Sequence, residues 1–227
     1  MAFIDHYKRA LIVLERTVDI ESLKDIFIPK VFRERTWTKL LNLLGDVFEV
    51  IIREFFANAF MEGDHINCWV RGREFIVSKE SIQEVLEIRP TNLDNSPHFD
   101  ERKEKFEPFV QVLRGQLKKK ALHTIEFTLE MRALAYIMVF NLYLVKNLTP
   151  FSAPRIMFLF DLFTHKEIDI CGYIYHLFVK SIMKRTSRLT LPFPSLVMSL
   201  ISTARVTIPS GLSEMQREEP ISEQTII

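Results

Sequence analysis

An apolar stripe between residues 37 and 59 constrains the fold of this chain more than any other feature of its sequence. Ten apolar residues recur there at intervals of three and four, which places them on one side of a helix. They are Trp37, Leu40, Leu41, Leu44, Val47, Phe48, Ile51, Ile52, Phe55 and Ala59. A stripe of this length must be covered by other helices or strands, so it predicts a packed globular fold.

The helix that carries this stripe has a predicted start and a predicted interruption. Thr36 precedes it and is a suitable N-cap, because a threonine hydroxyl accepts hydrogen bonds from the free amides of a first turn. Gly45 and Asp46 are expected to divide it into a short and a long helix, since glycine inside a helix costs about 1 kcal/mol relative to alanine. Glu49 lies on its polar face.

After this helix the spacing of the apolar residues changes to that of strands. Two runs rich in β-branched and aromatic residues, 66–70 and 75–77, flank Gly72. This arrangement predicts a small β-hairpin. Ser78 follows directly, and its hydroxyl is placed to cap a short helix over residues 79–86.

The second half of the chain is predicted to be helical. Helical spacing of apolar residues indicates helices over 109–120, 129–146, 153–164, 170–183 and 195–203. The helices 129–146 and 170–183 are expected to pack together on the apolar stripe. Residues 89–106 are polar and contain prolines, which predicts a loop or a boundary between two lobes.

These elements predict a mainly α fold, a helical globular domain with one small β-hairpin. The 227 residues can bury one substantial core, and we assign residues 1–208 to a single domain. Residues 209–227 contain few large apolar side chains, so we expect them to be a disordered C-terminal tail.

The charge balance and the cysteine content restrict the class of protein. Thirty basic and 29 acidic residues give a formal charge of +1, which provides no global field to attract nucleic acid or an anionic membrane. Cys68 and Cys171 are too few for a disulfide framework and are interpreted as reduced core thiols. Reduced thiols favour an intracellular location, nuclear or cytoplasmic. The apolar window 133–145 is shorter than the roughly 18 to 20 residues that span a bilayer, so no membrane segment is expected.

Three blocks of residues, taken in their order and spacing, resemble a known family. The first block, Ile51–Ala59, includes the motif residues Arg53, Glu54, Phe55, Phe56 and Asn58. The second, Trp69–Arg73, includes Val70, Arg71 and Gly72, and the third combines Asn147–Pro150, Ile168–Ile170 and Leu189–Leu196.

Together these blocks are similar to the putative plant transposon protein domain, a family found in plant genomes in and around transposable elements. The resemblance extends from Leu11 to Val206 and includes Glu15–Asp19 and Trp37. It implies a non-catalytic module of a transposon-derived protein and carries no catalytic residues over to this chain. The motif residues are explained by folding, because the phenylalanines supply apolar area and Gly72 permits a tight turn.

We predict no enzyme activity, no metal site and no cofactor. His65 and Cys68 have H-x-x-C spacing, but no second ligand pair follows at zinc-finger distance. The glycine-rich phosphate loops and the serine nucleophile motif are absent from the sequence. Asp161, Glu167 and Asp169 can be nominated as the acids of a two-metal site, although solvated charge explains them more simply.

Two hypotheses about function follow. The first is a module that binds another protein or a second copy of itself. The alternative is a nucleic-acid-binding domain that uses basic residues at two predicted helix ends, where cations also complement the helix dipole. These residues are Lys118, Lys119, Lys120, Lys184, Arg185 and Arg188. The alternative predicts that they share one surface and that affinity falls steeply with salt.

Overall fold

The structure, a computed structural model, describes residues 7–91, 127–144, 153–183 and 190–226. The secondary structure of these residues is mainly helical with a smaller share of strand, which confirms the predicted fold class. The predicted loop at 89–106 lies outside the described residues beyond position 91, and the predicted helix at 109–120 lies outside them completely.

The range 7–91 holds the sheet and the apolar stripe. Its elements are β1 (Leu11–Ile12), α1 (Ile28–Glu34), α2 (Thr38–Leu41), α3 (Glu49–Asn58), β2 (Phe60–Glu62), β3 (His65–Val70), β4 (Arg73–Val77) and α4 (Lys79–Leu86). The other ranges contain α5 (Leu129–Ile137), which continues into a π-helical turn at Met138–Leu142, and then α6 (Ala153–Phe163), α7 (Ile170–Met183), β5 (Thr190–Leu191), α8 (Pro194–Thr203) and α9 (Glu223–Ile226).

The stripe helix is interrupted where the sequence predicts it. Gly45 has a φ of +131°, a conformation that favours glycine, and it separates the short α2 from the longer α3. The prediction of Thr36 as the N-cap is wrong. Trp37 occupies the cap position without a side-chain cap bond, and the Thr36 hydroxyl instead donates to the carbonyl oxygen of Arg35 at 2.6 Å.

Helix α3 is the central element of the fold, as predicted. It contacts β3, β5, α7 and α8. Phe55 and Phe56 are fully buried, and their rings lie 6.0 and 5.9 Å from the ring of Phe178 in α7. This confirms the expected packing of α7 on the stripe. Helix α5, which was expected on the same stripe, has its main contacts with α1, α6 and α9.

The predicted hairpin consists of β3 and β4, which pair antiparallel with Val70 opposite Arg73. Arg71 and Gly72 form its two-residue loop, and both have positive φ, 49° and 77°. Such turns match the right-handed twist of paired strands. Strand β2 pairs with the other side of β3, so the sheet order is β2-β3-β4. Strand β2 could not be predicted from the sequence, because a three-residue run is too short to show alternation.

A second pairing shows that the hairpin is not the only β structure. Strands β1 and β5 form a two-stranded parallel sheet, and an isolated bridge joins Val18 to Ile221. Both pairings connect segments that are far apart in the chain. No local sequence pattern indicates such a pair, so periodicity could not predict either pairing.

Helix α4 begins at the cap that the sequence predicts. The hydroxyl of Ser78 accepts from the amide of Ser81 at 3.3 Å. In return, the hydroxyl of Ser81 accepts from the amide of Ser78 at 2.9 Å. This reciprocal capping box satisfies two amides at the helix start, and it ties α4 directly to the end of β4.

The C-terminal segment differs from the sequence-based expectation of a disordered tail. Residues 209–226 pack against the domain, and Ile221 and Ile226 are buried. The amide of Ile221 donates to the carbonyl oxygen of Thr17, and the amide of Met215 to that of Val47, each at 2.8 Å. A low content of apolar residues predicted disorder, but the few apolar residues of this segment reach the core and hold it in place.

The buried apolar residues form one cluster that extends from Tyr7 to Ile226. Its largest fully buried members include Phe32, Phe55, Phe56, Phe158, Phe178 and Phe193. The three-stranded sheet lies at the edge of this cluster. One face of the sheet packs on α3, and the other face points outward.

Candidate protein-interaction face

Arg53 of the family motif fastens the N-terminal segment to α3. One of its terminal nitrogens, Nη1, donates to the carbonyl oxygens of Tyr7 and Ala10, the latter at 3.1 Å. Its Nε and Nη2 donate to Oε1 of Glu49 at 2.8 and 2.6 Å. Each of these nitrogens therefore makes a hydrogen bond that stabilises the fold.

Glu54 and Asn58, on the same helix, hold the hairpin in place. Oε1 of Glu54 accepts from the amide of Arg71 at 2.7 Å, and its Oε2 lies 3.1 Å from Nε of Arg71. Nδ2 of Asn58 donates to the carbonyl oxygen of Trp69 at 3.0 Å. These bonds orient the sheet relative to α3.

The remaining motif residues serve the core and the turn. Phe55, Phe56 and Val70 are fully buried, and Gly72 adopts the positive φ that the turn requires. All eight motif residues thus have an identifiable place in the fold, which supports the structural interpretation of the motif.

The six basic residues of the nucleic-acid hypothesis lie outside the described residues. Lys118, Lys119 and Lys120 fall between the ranges 7–91 and 127–144. Lys184, Arg185 and Arg188 fall between the ranges 153–183 and 190–226. That these six residues share one surface therefore stays a prediction.

Two of the three nominated acids are ion-paired in the structure. Asp169 is buried, and its Oδ2 lies 2.6 Å from Nζ of Lys79. Asp161 is also buried and lies 3.5 Å from Lys166, while Glu167 is exposed. Within the described ranges, no group of three or more His, Cys, Asp or Glu residues is placed to hold a metal ion.

The two cysteines are free thiols in the core, as expected. Burial raises the pKa of Cys68 and of Cys171 to about 12. His65 does not join Cys68, because its Nδ1 lies 3.3 Å from Oδ1 of Asp64 instead. A residue pair three positions apart on a strand also points to opposite faces of the sheet.

A buried polar cluster, which the sequence did not predict, has two members in the blocks that carry the family resemblance. The carboxylate of Glu15 accepts from the amide of Ser195 at 3.0 Å and from its hydroxyl at 2.6 Å. Arg217 donates to that hydroxyl at 3.0 Å and to the carbonyl oxygen of Gly45 at 2.9 Å. Burial raises the pKa of Glu15, and the hydrogen bonds from Ser195 oppose this rise. The cluster joins the N-terminal segment, α8 and the C-terminal segment.

A cavity of about 600 Å³ lies beside this cluster, between α4, α8 and the loop around Gly45. Its lining combines Lys39, Asp46 and Glu84 with the hydroxyls of Ser199 and Ser202. These groups are of mixed charge and do not indicate one class of ligand.

The sheet presents a different kind of surface. On β3, Ile66, Cys68 and Val70 are buried on the side that packs against α3. Because side chains alternate along a strand, Asn67 and Trp69 lie on the opposite side. The pattern of apolar residues alone could not assign these sides, since both carry apolar residues.

Three large apolar side chains lie on this opposite side. Phe60 of β2 and Ile76 of β4 both stand opposite Asn67 of β3. Trp69 follows on β3, one outward position further along. The exposed fractions are 52% for Phe60, 49% for Trp69 and 56% for Ile76. We call this surface the outer sheet face; its members are Phe60, Glu62, His65, Asn67, Trp69, Glu74 and Ile76.

The charged residues of the outer sheet face are acidic. Glu62 stands opposite His65, and Glu74 stands opposite Trp69. None of the outward positions of β2, β3 and β4 carries a lysine or an arginine. The face therefore combines an exposed aromatic and aliphatic surface with negative charge.

Residues 33–207 match the family of the putative plant retrotransposon-related domain. This range covers about three quarters of the chain. The chain belongs to this family. No curated protein matches it, and no solved structure matches it.

Within the retrotransposon-related domain, the matched range contains α3, the whole three-stranded sheet and α8. The outer sheet face and the bonds of Glu54 and Asn58 that orient it thus belong to the family domain. Glu15 and Arg217 lie in the flanking segments, and both contact Ser195 inside it. In the described part of the chain, no helix is both long and apolar enough to cross a membrane.

Proposed function

We propose that this retrotransposon-related domain is a non-catalytic module that binds another protein through its outer sheet face. The observation that carries the proposal is the exposure of Phe60, Trp69 and Ile76 around Asn67 on one face. Scattered exposed apolar residues are ordinary, but a contiguous group on a rigid sheet is typical of an interaction site.

The composition of the face suits a binding site for protein. Tryptophan is enriched among the residues that dominate binding energy, because it supplies a large rigid surface. Covering the exposed half of any one of these three side chains contributes on the order of 1 kcal/mol to the free energy of binding. The bonds from Asn58 and Glu54 hold the hairpin in position, so little order must be gained on binding.

The pairing of the nominated acids supports a non-catalytic role. Asp169 is held by Lys79 and by the amide of Gly172, which donates to it at 2.9 Å. This carboxylate acts as a cap for α7, where it complements the start of the helix. A structural task of this kind accounts for its burial without a reaction.

Quantitative affinity capture from plant cell extract, followed by mass spectrometry, tests the proposal. Three baits are compared: the wild-type chain, Trp69→Ser, and Val50→Ser as a control. Val50 is a matched control because it is exposed to a similar fraction, 47% against 49%, but lies on α3. We expect a set of proteins that the wild type and Val50→Ser retain and that Trp69→Ser loses about fivefold or more. Equal capture by all three baits would contradict the proposal.

A further inference from the structure

In the part of the chain that the structure describes, β4 is the last strand of the sheet and pairs with β3 on one side alone. The two-residue turn makes Val70 and Arg73 a hydrogen-bonded pair, and such pairs alternate along an antiparallel ladder. Phe75 and Val77 therefore direct their backbone groups to β3. Glu74 and Ile76 direct theirs away from the sheet, and within the described structure these groups have no hydrogen-bond partner.

The opposite edge of the sheet is occupied. Helix α7 packs beside β2, and the hydroxyl of Tyr175 donates to the carbonyl oxygen of Asp64 at 2.6 Å. The C-terminal end of α3 also reaches this side through the bond from Asn58 to Trp69. The two edges therefore differ, and among the described residues the open one is that of β4.

The edge of β4 lacks two of the features that prevent pairing with another chain, proline and a bulge. It contains neither proline nor lysine, and its register with β3 runs without a bulge from Arg73 to Val77. The guanidinium of Arg73 is turned toward the domain, where it donates to the carbonyl oxygen of Arg205 at 3.2 Å. Glu74 is the charged residue whose backbone and side chain both face outward.

We infer that β4 accepts an extended, positively charged segment of another protein as a fourth strand of the sheet. This inference rests on the proposed function and names the binding mode and the partner. Glu74 and Ile76 each offer one donor and one acceptor to such a strand, which is the basis of recognition by strand addition. The side chains of the added strand that point outward lie next to Ile76 and extend the outer sheet face.

The charge of the surface beside β4 indicates which side chains the partner carries. Glu74 is the acidic residue of β4 itself, next to the added strand, and Arg73 is bonded to the carbonyl oxygen of Arg205, so arginine or lysine on the added strand is attracted and acidic residues are repelled. The exposed ring of Trp69 also favours a cation, because an arginine can stack on its face. Basic residues that alternate with β-branched apolar ones match this surface.

Two capped synthetic peptides test the inference on the full chain. One alternates arginine with valine, and the other alternates glutamate with valine. Binding is measured by fluorescence anisotropy, and protection of individual amides by hydrogen exchange detected with NMR. We expect the arginine peptide to bind at least about tenfold more tightly than the glutamate peptide and to slow exchange of the Glu74 and Ile76 amides. Equal affinities, or binding without slower exchange at these amides, would overturn the inference.

Two variants at position 76 isolate the contribution of the backbone amide to peptide affinity. Ile76→Pro removes the outward amide and leaves the bonds of Phe75 and Val77 to β3, whereas Ile76→Val keeps the amide. We expect the proline variant to lose affinity for the arginine peptide about tenfold and the valine variant to stay within about twofold of the wild type. Equal binding by both would overturn strand addition. Circular dichroism checks that each variant is folded, and the exchange experiment on the wild type decides the question without any variant.

Further outcomes separate this inference from the proposed function. If Trp69→Ser loses its captured proteins while the arginine peptide does not bind, the outer sheet face binds protein but the inferred partner chemistry is wrong. If sedimentation shows a dimer of the wild type that Ile76→Pro converts to a monomer, the occupant of the edge is a second copy. That result would overturn the assignment to another protein.

Discussion

The carboxylate of Glu15 and the hydroxyl of Ser195, 180 positions apart in the chain, share a buried hydrogen bond of 2.6 Å. Ser195 lies in the first turn of α8, and its amide, which has no partner within the helix, also donates to the carboxylate at 3.0 Å. Arg217 closes the cluster from the C-terminal side. Three distant segments thus depend on one buried acid.

Glu15→Gln is expected to change how stability depends on pH. Burial raises the pKa of Glu15 in the folded state above its ordinary value of 4.5. Its favourable contribution is therefore complete below the unfolded-state pKa and is lost as the pH rises through the folded-state pKa. Urea denaturation between about pH 4 and about pH 8 should show the free energy of unfolding of the wild type falling relative to that of the variant. A difference that is constant with pH would contradict this assignment.

Phe55→Ala should destabilise the domain severely. Phe55 is fully buried and contacts the rings of Phe56, Phe75 and Phe178. Truncation of a buried phenylalanine costs about 3–5 kcal/mol, which is a large part of a typical margin of stability. Glu49→Ala, which removes one helical ion pair on the polar face, should cost about 0.5 kcal/mol or less. Thermal unfolding measures both, and similar melting of Phe55→Ala and wild type would refute the central role of α3.

Arg53→Met should release the N-terminal segment from α3. The variant keeps the apolar stem but loses the bonds to the carbonyl oxygens of Tyr7 and Ala10. Loss of charged hydrogen bonds to partly buried carbonyls costs about 1.5–3 kcal/mol. Hydrogen exchange should become faster in residues 7–13 and change little in the hairpin. Arg33→Met provides the control, because Arg33 is exposed. Equal effects of both substitutions on hydrogen exchange in residues 7–13 would argue against this contact.

The cysteines should be unreactive in the folded protein. Burial holds the pKa of Cys68 and Cys171 at about 12, so thiolate is scarce at neutral and mildly alkaline pH. A thiol-specific chromogenic reagent should label neither cysteine at about pH 8 in buffer and both in denaturant. Rapid labelling of either one in buffer would show that its part of the core opens easily.

Much of the local structure could be predicted because its determinants lie within a few neighbouring residues. The interruption at Gly45, the hairpin turn at Gly72 and the cap at Ser78 each depend on backbone freedom or on one side chain. The bounds of α7 agree with its predicted range, 170–183, because its apolar spacing is regular. Thr36 does not act as a cap because its hydroxyl donates to the carbonyl oxygen of Arg35 and accepts from the amide of Arg89. Arg89 is distant in sequence.

The candidate site could be predicted only in part, for the same reason. The alternation in β3 identified a strand, but Trp69 and Cys68 are both apolar, so the pattern did not say which faces solvent. The packing of α3 against one side decides that Cys68 is buried and Trp69 exposed. The open edge of β4 likewise depends on which elements surround the sheet.

The sequence by itself determined the class of fold, the family and the local elements of this protein. The tertiary structure decided which apolar residues stay exposed, the pairing of β1 with β5, and the meeting of Glu15 with Ser195 and Arg217. Local elements follow from periodicity and capping, which act over a few residues. Contacts across most of the chain follow from the way that the whole core closes, and no short stretch of sequence contains that information.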